Sequence, residues 1–79
     1  MEKNEIEKKA LSVLYCSIDR VEKVDLPDIN AHYFRNTDRG GAAVIISDDG
    51  SMLYVDPFFV EYEDHVKRFV AGERTVFQD

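Results

Sequence analysis

The sequence predicts an α+β fold of two layers, α-β-β-β-α, with a three-stranded antiparallel sheet packed against two helices. Three observations predict it: a helical apolar stripe over about 4–21, two β-branched runs flanking a polar turn over 42–56, and a second helical stripe over about 61–71. All fall within one small domain spanning residues 1–79.

In the first stripe Ile6, Ala10, Val13, Leu14, Ser17, Ile18 and Val21 recur at steps of three and four, with Leu11 widening the face. Lys8, Lys9, Ser12, Asp19 and Lys23 fall on the other side. Asn4 is placed to cap this helix, and Glu5 and Glu7 meet the positive end of its dipole. Pro27 disfavours helical angles at Leu26, so residues 21–30 read as a connector. A first strand is expected over about 29–35, where Ile29, Tyr33 and Phe34 supply strand-forming side chains.

Residues 42–47 and 52–56 read as a β-hairpin. Val44, Ile45, Ile46, Leu53, Tyr54 and Val55 suit a pleated surface, and Asp48-Asp49-Gly50 between them tolerates left-handed backbone angles. Ala43, Ile45 and Ser47 share one face and Ala42, Val44 and Ile46 the other, so this is an inner strand apolar on both sides. Pro57 should close the second strand or place it at an edge. In the second helix Tyr62, Val66, Phe69 and Val70 form a face with Phe59 upstream, and Gly72 is the stop. Thr75, Val76 and Phe77 read as a minor strand or a loosely packed tail.

Composition narrows the function classes. A net charge of -6 repels phosphate backbones and anionic lipid and attracts a basic protein, so neither nucleic acid nor membrane is an expected partner. A single cysteine leaves no intramolecular disulfide, and no run of apolar residues is long enough to span a bilayer. A soluble, cytoplasmic protein is expected.

Side chains with catalytic potential lack supporting patterns. Cys16 with His32 or His65 offers a thiol and a base, but the spacing matches no nucleophile arrangement and packing is the simpler role for Cys16. His65 reads as a surface or helix-capping residue. Asp48, Asp49, Asp56, Glu61 and Glu63 supply oxygen ligands, yet acids do not alternate ahead of Gly50 as a calcium loop requires. Asp38-Arg39-Gly40-Gly41 leads into a strand instead of the helix start that a phosphate cradle needs. Aromatic residues stand next to basic ones in His32-Tyr33-Phe34-Arg35, but the acidic total favours core and protein contact over base stacking. No enzymatic activity, cofactor or metal is expected.

The leading expectation is a protein-binding module that uses a sheet face left open by the helices or an exposed edge, ringed by carboxylates, with Tyr33, Arg35, Arg39, Met52 and Tyr54 as candidate contact residues. The run Gly40-Gly41-Ala42-Ala43-Val44-Ile45-Ile46-Ser47-Asp48-Asp49-Gly50-Ser51, followed by an aromatic- and acid-rich helix, resembles the central part of small bacterial immunity proteins of the YrhB-like kind. The resemblance covers about half of the chain. It implies an acidic α+β protein that neutralises a toxin by binding it, and it transfers no binding residue position by position. A self-associating structural or regulatory subunit, a homodimer, is the alternative: a half-covered sheet leaves an apolar face and edges that a second copy could cover.

Overall fold

The computed structural model describes residues 2–37, 41–56 and 59–75. Helix α1 (Lys3–Leu14) leads into a short 3₁₀ turn (Ile18–Arg20) and then strand β1 (Val21–Leu26). A second 3₁₀ turn (Pro27–Ile29) returns the chain into β2 (Ala31–Asn36), followed by β3 (Ala43–Ser47), β4 (Met52–Val55) and helix α2 (Tyr62–Val70). The four strands form one antiparallel sheet in the order β1-β2-β3-β4. The architecture is therefore α+β with one strand more than the sequence suggests.

The extra strand and the shorter first helix have one cause. Tyr15 takes a left-handed conformation (φ 53°) and Cys16 N–H donates to Leu11 O at 3.3 Å, which closes α1 after Leu14. The expected helix over 4–21 thus ends early, and Ser17, Ile18 and Val21 leave its stripe. Asn36 completes this end from the sheet, its Nδ2 donating to Leu14 O at 3.1 Å. Glu2, not Asn4, occupies the position before the first helical residue. Residues 21–26, expected as connector, pair along their length with β2, from Val21 opposite Asn36 to Leu26 opposite Ala31. The alternation of Val24 and Leu26 with Lys23 and Asp25 belongs to an edge strand, which stays largely exposed on both faces.

The hairpin forms as its turn residues require. Gly50 adopts a φ of 93°, Ser47 N–H donates to Ser51 O at 2.8 Å, and Ile45 faces Leu53. The Asp49 carboxylate accepts from the Ser47 hydroxyl (2.6 Å), the Ser51 N–H (2.9 Å) and the Ser51 hydroxyl (2.7 Å). Those three donors hold its carboxyl well below the usual carboxylate range.

The two helices lie on opposite faces of the sheet. Ile6, Ala10 and Leu14 of α1 pack with Phe34, Val44, Ile46 and Met52, whereas Phe69 and Val66 of α2 pack with Tyr33, Ala43, Ile45 and Leu53. This corrects the expected two-layer packing to three layers. The physical reason is that Val44, Ile45 and Ile46 are all fully buried, and consecutive strand residues point to opposite sides, so each face needs its own cover.

On α2 the buried face differs from the expected one. Tyr62, His65, Val66 and Phe69 turn toward the sheet, while Val70 and Phe59 are exposed. His65 takes an inward position because its Nε2 lies 2.7 Å from Leu53 O, a partner only the sheet supplies. Gly72 follows the helix with a φ of 100°, as its role as a stop requires. Beyond it Thr75 N–H donates to Met52 O at 2.8 Å and Thr75 Oγ1 accepts from Tyr54 N–H at 2.9 Å, so the tail lies along the outer edge of β4. Pro57, Val76 and Phe77 lie outside the described residues.

An unpaired carboxylate placed at position 45 would enter a closed apolar layer. Ile45→Asp is expected to lower unfolding stability by several kcal/mol, on the order of 4, or to abolish folding. Glu63→Gln on the exposed side of α2 is expected to change it by less than about 0.5 kcal/mol. Urea denaturation followed by circular dichroism checks both, and a parental midpoint for Ile45→Asp would contradict the burial argument.

Candidate functional site

Helix α2 spans only Tyr62–Val70 and packs over β3 and β4, which leaves the β1–β2 side of its sheet face uncovered. Register places Glu22, Val24 and Leu26 of β1 and Tyr33 and Arg35 of β2 on that side. The result is a shallow groove of about 420 Å³, lined by Glu22, Val24, Tyr33, Arg35, Glu61 and Tyr62. Its floor is the Tyr33 ring. Tyr62 stands edge-on against it, with ring centroids 4.8 Å apart and planes at 90°, and His65 meets it from behind at 5.7 Å.

Two hydrophobic side chains remain accessible in the groove, Val24 at 40% and Tyr62 at 42% exposure. Glu22 forms one bank, where its Oε2 accepts from Arg35 Nε at 2.9 Å and Nη2 at 2.6 Å. Glu61, just before α2, forms the other. The Tyr33 hydroxyl is held above its ordinary pKa, first by burial, with Arg35 acting in the opposite sense and Glu22 reinforcing the rise. Tyr33 therefore enters any contact as a neutral phenol.

The candidate contact residues are divided by the sheet. Tyr33 and Arg35 line the groove together, with Tyr33 mostly buried as its floor. Met52 and Tyr54 belong to the α1 side, Met52 buried in that core and Tyr54 partly exposed. Met52 is thus withdrawn from the surface because α1 covers the face expected to be open. Arg39 lies outside the described residues. Sequence reasoning missed Glu22, Val24, Glu61 and Tyr62. The alternation over 21–26 could have placed the first two on a common strand face.

A second, narrower pocket of about 140 Å³ lies on the α1 side near β1, with Lys3, Glu7, Lys23, Asp25 and His32 around it. Its charges are already matched: Lys23 Nζ lies 3.2 Å from Glu7 Oε2, Lys3 Nζ 3.8 Å from Asp25 Oδ2, and His32 Nδ1 3.1 Å from Asp25 Oδ1. His32 Nε2 also lies 3.2 Å from Asp48 Oδ1, joining β1 to the hairpin turn. The His32 contact, then Lys3, holds the Asp25 carboxyl below its usual range. Such internal pairing leaves less unsatisfied surface for a ligand than the groove on the other face. Cys16 is half-buried and packs against the α1 core. Among the described residues no group of three histidine, cysteine, aspartate or glutamate side chains is arranged to hold a metal ion, and no helix is long and apolar enough to cross a membrane.

No protein-family model, curated protein or solved structure matches the chain.

His65, the buried polar residue that joins α2 to β4, gives the fold a pH dependence. Burial lowers its pKa from the ordinary 6.5, with the Leu53 carbonyl opposing and Arg68 assisting. The unfolded chain consequently takes up a proton before the folded one as pH falls, so this contribution to stability is complete above pH 6.5 and declines below it. Urea midpoints compared at about pH 7.5 and about pH 5.5 are expected to drop more for the parent than for His65→Gln, which keeps a donor for Leu53 O but does not titrate. Equal drops would remove His65 as the cause.

Proposed function

We propose that this chain is a small acidic protein-binding module without enzymatic activity, which engages a basic protein partner through the groove between β1–β2 and the start of α2. The observation that carries the reading is the groove itself: accessible apolar surface at Val24 and Tyr62 over a buried tyrosine floor, banked by the carboxylates of Glu22 and Glu61. Protein interfaces favour this composition, an aromatic anchor that can be desolvated, surrounded by a polar rim.

Charge supports the choice of partner. The chain carries -6 overall, and Glu63 and Asp64 on the first turn of α2 extend the acidic bank beyond Glu61. Such a field accelerates encounter with a cationic surface more than it strengthens the final complex. A basic toxin or enzyme bound and blocked in this way is the immunity- or inhibitor-type role implied by the resemblance of residues 40–51.

The test uses parallel affinity captures from the native cells with the parent protein, with Tyr62→Ala and Val24→Asp, and with the exposed α1-side variant Lys8→Ala. A basic protein retained by the parent and by Lys8→Ala but lost roughly tenfold or more from both groove variants is expected. For the purified pair, the association rate should fall as salt rises from about 0.05 M to about 0.5 M while dissociation changes little. Capture of the same proteins by groove variants and parent alike would sink the groove as the binding surface.

A further inference from the structure

The two edges of the sheet are not equivalent. The outer edge of β4 is occupied by Thr75, which bonds to both Met52 and Tyr54. Strand β1 is the other edge, and among the described residues no strand lies beside it.

Which backbone groups β1 leaves outward follows from the ladder. Thr37 N–H donates to Arg20 O at 2.8 Å, one step beyond the pair Val21–Asn36, so Arg20 and Thr37 form a hydrogen-bonded pair. Hydrogen-bonded pairs alternate along an antiparallel ladder, which turns Glu22, Val24 and Leu26 inward to β2 and leaves the N–H and C=O of Val21, Lys23 and Asp25 pointing away. The bond from Asn36 N–H to Ala42 O at 2.9 Å agrees, because it commits the even residues of β2 to β3.

An exposed strand edge of this kind is a template for another strand. We propose that β1 pairs antiparallel with β1 of a second copy of this chain, about a twofold axis at Val24, joining two four-stranded sheets into one of eight strands. The charges choose the register. A twofold centred on Glu22, Lys23 or Asp25 sets that residue against its own like charge in the second copy, which is unfavourable for directly opposed side chains. Centred on Val24, the same strand sets Lys23 opposite Asp25 of the second copy, and Asp25 opposite Lys23, while Val24 meets Val24 on the groove side. This register also matches outward backbone groups with outward backbone groups, residue 23 with residue 25, and ends where Pro27 has no N–H to give.

The side chains are available for it. Those of Lys23 and Asp25 are 47% and 62% exposed, and their present partners, Glu7 for Lys23 and Lys3 and His32 for Asp25, lie on the α1 side and can extend the cross-strand pairs into one network. Repulsion between two copies of charge -6 is long-range and screened over about 8 Å at physiological salt, whereas the cross-strand pairs act at contact. The pairing does not depend on the proposed basic partner, and its failure would leave that reading untouched.

Sedimentation equilibrium at physiological salt, over a wide range of protein concentration, is expected to show the parent mass doubling as concentration rises. Lys23→Asp and Asp25→Lys should each weaken dimerisation roughly tenfold or more by placing like charges opposite each other twice, and the double variant K23D/D25K should recover it. Circular dichroism confirms that each variant is folded. Hydrogen exchange gives an independent readout: the amides of Lys23 and Asp25 should slow as the parent concentrates, while that of Val24, already bonded within the chain, stays constant. A parent that remains monomeric, a dimer indifferent to both charge reversals, or fast exchange at positions 23 and 25 in the dimer would each overturn the proposal.

Discussion

Burial of β3 on both sides is the constraint from which the remaining structure follows. Val44, Ile45 and Ile46 are consecutive and all inaccessible to solvent. Each pair of adjacent residues in a strand faces opposite ways, so a single apolar layer can cover only half of this run. Helix α1 supplies Ile6, Ala10 and Leu14 to one face and α2 supplies Phe69 with Val66 to the other. A chain of 79 residues has little material for two covers, and the second is only nine residues long. The uncovered ground over β1 and β2 is the direct result.

That shortage links packing to the candidate site. Because α2 stops short of β1, Val24 stays accessible and Tyr33 becomes the floor of a groove instead of the centre of a core. His65 makes the short helix sufficient for the β3–β4 side, since one inward residue both fills space against Tyr33 and approaches Leu53 O. Replacing it by a purely apolar residue would leave the Leu53 carbonyl without that partner, a cost particular to buried polar groups. The same residue makes the α2 side sensitive to mild acid, whereas α1 packs its face of the sheet with apolar side chains.

Charge is arranged differently on the two sides of β1. Toward α1, Lys3 pairs with Asp25 and Lys23 with Glu7 while His32 bridges Asp25 and Asp48, at 3.1 to 3.8 Å, and these contacts tie an otherwise thin edge strand to the helix and to the hairpin turn. Exposed pairs of this sort stabilise little individually, and their value lies in fixing where the edge strand sits. Toward α2, Arg35 answers Glu22, Glu61 lines the groove, and Glu63 and Asp64 follow in the first turn of α2. Acidic side chains thus stand next to the accessible apolar surface of Val24 and Tyr62, the juxtaposition on which the binding proposal rests.

The sequence by itself determined the α+β class, the hairpin with Gly50 in its turn, the inner position of β3 and the stop at Gly72, because each depends on neighbouring residues or on a period of two or about four. It also carried a signal for β1, in the alternation of Val24 and Leu26 with charged residues, but an edge strand exposed on both faces lacks the apolar density that separates strand from connector. The end of α1 at Tyr15 was hidden because the apolar spacing continues past it, and only docking against the sheet decides where the chain turns away. Tertiary structure alone decided that the helices take opposite faces, that Met52 is sealed under α1, that His65 points inward, and that Tyr33 shares a groove with Tyr62. Those outcomes depend on side chains far apart in the chain competing to cover the same strand, and no local pattern records which of them wins.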